Sequence, residues 1–155
     1  MNNNPMKIAI AEATAGTQTK QGGPFGAVVV KDGVIIGRGH NRVIANADPT
    51  AHGEIEAIRD ACKNTNSHNL SGSVLYTTYY PCPMCLGAIL WARIEKVYYC
   101  FTSEDAAAIG FDDKEFYDRL GSSDFMSEFL QLDDAEKEAC QEMVDAYINS
   151  NPTEY

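Results

Sequence analysis

With 155 residues, 45% of them hydrophobic, the chain has material for one packed domain and no mark of disorder. Its 22 acids against 12 bases, net −10, disfavour a surface that grips nucleic-acid phosphates by bulk positive charge. No apolar run nears the roughly 20 residues of a membrane span, Met1 to Pro5 lack a secretory-signal pattern, and five cysteines with one C-x-x-C pair predict a reduced, cytoplasmic protein without a disulfide frame.

In chain order, Asn4 is a predicted cap and Pro5 a first helical residue. Apolar spacing through Met6, Ile8, Ile10 and Ala13 carries the helix to about Thr17. Gly22, Gly23 and Pro24 break it. Gly26 to Val30 reads as a strand, Asp32-Gly33 as a hairpin turn, and Val34 to Arg42 as the returning strand. Asp48-Pro49 predicts the start of a helix to about Lys63. A third strand, Val74 to Thr78, precedes a helix opened by Pro81 that packs Leu86, Ile89, Leu90 and Ile94. Val97 to Phe101 is a fourth strand. Asp124 to Leu132 reads as a fifth strand or a loop, and Asp133 to Ile148 as a helix. Alternating strands and helices after the hairpin predict a layered α/β domain. Residues 1–100 hold seven acids and nine bases, and residues 101–155 fifteen acids and three bases, so the last third is a solvated acidic surface.

Two segments carry chemistry: Pro49-Thr50-Ala51-His52-Gly53-Glu54 and Pro81-Cys82-Pro83-Met84-Cys85, each at a predicted helix start. One imidazole and two thiolates are good zinc donors, and three protein ligands leave the open position of a catalytic site. Cys62, Cys100, Cys140, His40 and His68 remain available as a fourth ligand. Cys82 and Cys85, three apart, share a helix face, where the positive helix end favours thiolates. His52 and Glu54, two apart, converge only near a helix end. Glu54 is then placed as a proton carrier beside water activated by the metal, which is what hydrolytic removal of an amino group from an aromatic ring requires.

At these residues the chain resembles the zinc-dependent nucleobase and nucleoside deaminases, whose signature is H-x-E followed by P-C-x-x-C. Gly22 to Val30, Asp48 to His52, Pro81 to Ile89, Trp91-Ala92-Arg93, Asp105-Ala106-Ala107, Gly110-Phe111-Asp112-Asp113 and Glu154-Tyr155 are similar to the bacterial guanine deaminases. The resemblance implies a three-layer α/β/α sandwich on a mixed sheet of about five strands, with residues 1–155 forming one deaminase domain. It implies one zinc ion held by His52, Cys82 and Cys85, with Glu54 as the catalytic acid–base. Asn41 would read the purine edge, Phe25 would pack on the base, and Asp113 would meet the substrate amino group. Tyr155 would come from a partner subunit, in a homodimer that exchanges a segment from about residue 121. Two departures stand out: Gly53 where the family commonly has Ala, and Tyr79-Tyr80 where Cys-Glu commonly precedes the Pro-Cys.

The implied activity is conversion of guanine to xanthine and ammonia, on a small molecule and without nucleic acid or membrane. Tyr79 and Tyr80 leave open guanosine, another aminopurine, a pterin or an aminotriazine. A tRNA adenosine deaminase is disfavoured by the charge. A zinc-stabilised binding module would instead have a fourth protein ligand and no use for Glu54. The remaining cysteines are expected as buried small groups, Trp91 as packing, His40 as structural and His68 as exposed.

Overall fold

In the computed structural model, which describes residues 4–153, the first element is the helix α1, Pro5–Gln18. Asn4 caps it as expected, its Oδ1 accepting from the Met6 amide at 3.0 Å. Strands β1, Gly26–Lys31, and β2, Val34–His40, form the predicted hairpin. Asp32 and Gly33 both take positive φ, 50° and 76°, which suits a tight turn between right-twisted strands. A single turn α2, Val43–Asn46, leads to α3, Gly53–Thr65. Then come β3, Ser73–Tyr79, α4, Pro83–Trp91, and β4, Lys96–Phe101. The short α5, Ser103–Ala108, follows with a reciprocal Thr102/Asp105 cap.

The sheet has four strands among the described residues, ordered β2-β1-β3-β4. β1 is antiparallel to both neighbours, while β3 and β4 are parallel, so the sheet is mixed. Its two faces are covered by different helices. Gly26 faces α1, lying against Ala9 and Ala13, and by the alternation of strand side chains Val28, fully buried, points the same way. Ala27, Val29 and Leu75 face the other side, where they form the core with Ala57 and Ala61 of α3 and Ile89 of α4. This is the expected three-layer arrangement.

The chain falls into two compact units, up to Glu115 and from Phe116 onward. The second holds most of α6, Lys114–Leu120, and all of α7, Ser123–Phe129, and α8, Lys137–Asn149. Within it Ser122 caps α7, Phe125 stacks on Phe129 at 5.1 Å, and the Arg119 guanidinium lies over Phe125.

Several expectations are corrected. The sheet lacks a fifth strand among the described residues: Asp124 to Leu132 is mostly helix α7, because Ser122 caps it and Phe125 and Phe129 share one helical face. Helix α3 starts at Gly53, not Pro49, since the Asp48 carboxylate closes a turn on the Thr50 amide and hydroxyl instead. Helix α4 starts at Pro83 and ends at Trp91. Leu90 and Trp91 point outward, 69% and 67% exposed, rather than packing. Cys100 and Cys140 are exposed, and only Cys62 packs against the core.

Candidate active site

The first links are made by the backbone. His52 and Cys82 occupy the N-cap positions of α3 and α4, and Cys85 sits in the first turn of α4. Both helix starts lie at the same end of the sheet, so residues 30 apart in sequence meet: His52 Nδ1 is 3.5 Å from Cys82 Sγ and 3.6 Å from Cys85 Sγ. A tetrahedral zinc with bonds of about 2.3 Å to sulfur and about 2.0 Å to nitrogen separates such donors by about 3.5 Å. The three donor atoms lie within 4.8 Å of one another, so the residues fit one zinc ion through Nδ1 and two sulfurs. Among the described residues none of Cys62, Cys100, Cys140, His40 or His68 joins the group. His40 is structural: its Nδ1 faces Glu12 at 3.2 Å and its Nε2 faces Gln21 at 3.1 Å. His68 is exposed in its loop.

The electrostatics favour metal-ready donors. Hydrogen bonding from Cys85, then from His52, pulls the Cys82 thiol well down toward the thiolate, while Cys85 keeps its proton and is pushed up by that same contact and by burial. The contact with Cys82 raises His52. Each of these protons is one that zinc would displace.

Glu54 is almost fully buried, 4% exposed, in the first turn of α3. Its Oε1 accepts from the Thr77 hydroxyl at 3.0 Å, and its Oε2 lies 3.5 Å from Cys85 Sγ. Burial raises its pKa, the hydrogen bond from Thr77 opposing only in part. Thr77 is the residue that sequence reasoning missed. Its signal was a polar residue at a core-facing position of β3, in step with Leu75.

The other predicted residues gather around this centre in part. Asn41 is buried, its backbone N–H donating to Phe25 O and its Oδ1 accepting from the Val43 amide at 3.1 Å. Its amide nitrogen makes no hydrogen bond among the described residues. Phe25 packs edge-on against Phe111 at 4.8 Å and against Tyr79 at 5.0 Å, and Tyr79 in turn meets Phe101 at 5.0 Å. Asp113 Oδ1 is buried with no hydrogen-bond partner among the described residues. Burial, then the charge of Cys82, raises its pKa, which puts its carboxyl within electrostatic reach of the donor group. Tyr155 lies outside the described residues. Gly53 has a reason of its own: a Cβ there would lie 2.8 Å from the Phe25 carbonyl oxygen. The start of α3 thus presses on the backbone of the residue expected to pack on the base.

Comparison with known proteins agrees with this geometry. Residues 1–101 match the cytidine and deoxycytidylate deaminase zinc-binding region. Guanine deaminase of Bacillus subtilis (strain 168) is 50% identical over 115 residues, 74% of this chain and 74% of the relative. The crystal structure of guanine deaminase from Bacillus subtilis superposes with a TM-score of 0.89 at 43% identity, covering 100% of this chain and 99% of that one. A guanine deaminase structure from Nitrosomonas europaea gives a TM-score of 0.67 at 33% identity over 70% of this chain and 63% of that one. The tRNA-specific adenosine deaminase of Aquifex aeolicus (strain VF5) is 46% identical over 92 residues, 59% of this chain and 60% of its own length. With the His/Cys/Cys donors seated on two helix starts beside a buried glutamate, these matches make the chain a member of the cytidine and deoxycytidylate deaminase zinc-binding family.

Proposed function

We propose that the chain is a zinc-dependent hydrolytic deaminase that converts guanine and water to xanthine and ammonia. The observation that carries this reading is the Glu54 carboxyl held beside the His52/Cys82/Cys85 donors. The similarity to guanine deaminases supports the substrate, extending over 115 residues against 92 for the Aquifex tRNA deaminase. Bound zinc supplies Lewis acidity that brings the ionisation of water toward neutral pH. Glu54 takes that proton on Oε2, while Thr77 holds Oε1 and so fixes the orientation of the carboxyl. Its raised pKa suits a group that must carry two protons in turn, the one from water to the ring nitrogen and then the one from the hydroxyl of the tetrahedral adduct to the departing amine. The exocyclic C–N bond breaks, a C–O bond forms from water, and nitrogen leaves as ammonia.

In this reading Phe25 packs on the base, the free amide N–H of Asn41 reads its edge, and Asp113 accepts from the substrate amino group through its unpaired buried oxygen. A homodimer completes the site, exchanging the segment from about residue 121 and delivering Tyr155 to its partner. Support comes from exposed apolar surface: Tyr98, Tyr99 and Phe101 on β4, Leu90 and Trp91 on α4, and Phe129, Leu132, Met143 and Ile148 in the second unit. Cytoplasmic residence fits five free cysteines.

Another aminopurine, a pterin or an aminotriazine is the second reading. It is favoured by Tyr79, whose ring lines the Phe25 side of the site where guanine deaminases commonly hold a Cys. A binding module has less support, because the described residues offer three donors and not four. The test is ammonia release from guanine, guanosine, adenine, cytosine and cytidine, with elemental analysis of the same preparation. Guanine should lead with one zinc per chain. Release from guanosine or adenine alone would refute the assignment of substrate, and no release at full zinc would refute the enzyme.

A further inference from the structure

We infer that Phe111 is a positioning residue that sets where Asp113 meets the substrate, acting through the edge-to-face contact of its ring with Phe25. The inference rests on the deaminase reading above, in which Phe25 and Asp113 both touch the base. Gly110, at φ 95°, ends α5, and the amides of Gly110 and Phe111 donate to Ala107 O and Ala106 O, both at 3.0 Å. This reversal directs Phe111 back onto the loop that leads into β1. Its ring meets Phe25 at 4.8 Å and 87°, the geometry favoured by aromatic quadrupoles. The backbone of Gly23 bears down on both rings: a Cβ there would lie 2.7 Å from Phe25 and 2.9 Å from Phe111. Phe25 also meets Tyr79 edge-on at 5.0 Å, and Tyr79 in turn rests on Phe101.

Two residues further on stands Asp113. Its Oδ1 is buried and unpaired among the described residues. The neighbouring Asp112 carboxylate accepts the Lys114 amide at 3.0 Å and closes a turn around it. Asp113 therefore takes its position from its flanks, and on the upstream side the tertiary contact is that of Phe111 with Phe25. The same contact links the ring that packs on the base to the carboxylate that meets its amino group. A half-exposed phenylalanine, 45% accessible, is a poor core residue but a good tether of this kind.

The test uses the zinc-loaded full chain with Phe111→Ala, Phe111→Tyr, Asp113→Asn and the Phe111→Ala/Asp113→Asn double variant. Phe111→Ala should lower kcat/KM for guanine about tenfold, the scale of one aromatic pair. Phe111→Tyr, which keeps the ring edge, should stay within about twofold. In the Asp113→Asn background Phe111→Ala should cost clearly less than it does in the wild type, because part of its effect runs through that carboxylate. Calorimetric binding of xanthine runs the same cycle where turnover is too slow. Independently of any substrate, amide exchange at Phe111 and Lys114 should quicken in Phe111→Ala while α1, β1 and α3 keep their protection. Additive losses in the cycle, or unchanged exchange at those amides, would overturn the tether. A wild-type protein that turns over and binds no purine would instead overturn the substrate reading, and the exchange result would still decide the role of Phe111 in holding the segment.

Discussion

Glu54→Gln separates proton transfer from every other duty of the site. The amide has nearly the shape of the carboxylate, and its oxygen can still accept the Thr77 hydroxyl now held at 3.0 Å. Its nitrogen can donate to Cys85 Sγ from the present Oε2 position, 3.5 Å away. Zinc should therefore stay at one per chain, since the donors are His52, Cys82 and Cys85. What disappears is a group able to take and return a proton, which commonly contributes about 100- to 10,000-fold, or about 3–5 kcal/mol of barrier. Because Oε1 is committed to Thr77 and the side chain is 4% exposed, bulk buffer has little access with which to replace it. Turnover of guanine should fall by at least about 100-fold at unchanged metal content. The same variant tests the electrostatics. In the zinc-free protein burial raises Glu54 above its ordinary 4.5, so the folded state keeps a proton that the unfolded state releases. That contribution is fully present below 4.5 and is lost as pH rises through the raised value, giving a stability that declines with pH across this window. The amide does not titrate, so this component of the slope should vanish in chelated samples melted at stepped pH. Turnover within about tenfold of wild type at full zinc would refute the proton-carrier role, and an unchanged slope would refute the burial argument.

Cys85→Ser should weaken zinc retention by at least about 100-fold, read by competition with a chromophoric chelator, because it removes one of three donors, buried in the first turn of α4. Gly53→Ala should destabilise the fold by about 1 kcal/mol, since the added methyl meets the Phe25 carbonyl at 2.8 Å and a backbone atom cannot swing aside. Thermal melts and the KM for guanine should both move, and a stabilised variant would mean helix propensity outweighs the overlap. Deleting Pro152 to Tyr155 should depress substrate use far more than melting temperature, and untouched kinetics would refute a contribution from Tyr155.

The hairpin and the donor set were legible because their signals are local and have few alternatives. Asp32-Gly33 between two β-branched runs allows little but a tight turn, and His52, Cys82 and Cys85 are scarce residue types at helix starts. Asp48-Pro49 misled because an aspartate that caps a helix and one that closes a short turn use the same carboxylate-to-amide bond two residues on. Only the path of the following residues separates them. The segment around Phe125 misled because nine residues with apolar groups at Phe125, Met126, Phe129, Leu130 and Leu132 are too few to fix a period, and the serine before it was the better guide. Leu90, Trp91 and Cys100 were assigned to the interior by residue type, yet α4 buries only Cys85 and Ile89, and β4 is an edge strand. Thr77 and Gly53 matter through neighbours that are distant in sequence, Glu54 for one and Phe25 for the other, which no local pattern contains.

The two N-cap positions have one more consequence. Neither His52 nor Cys82 makes a side-chain cap hydrogen bond, so α3 and α4 each forgo the about 1 kcal/mol that a serine or aspartate would lend there. The ion becomes their shared clasp, closing a loop of 30 residues that runs through β3. Metal supply and proteolytic lifetime are thereby joined: a cell short of zinc would hold a chain whose two helices fray together, and turnover of the polypeptide would track scarcity before any loss of substrate could be felt.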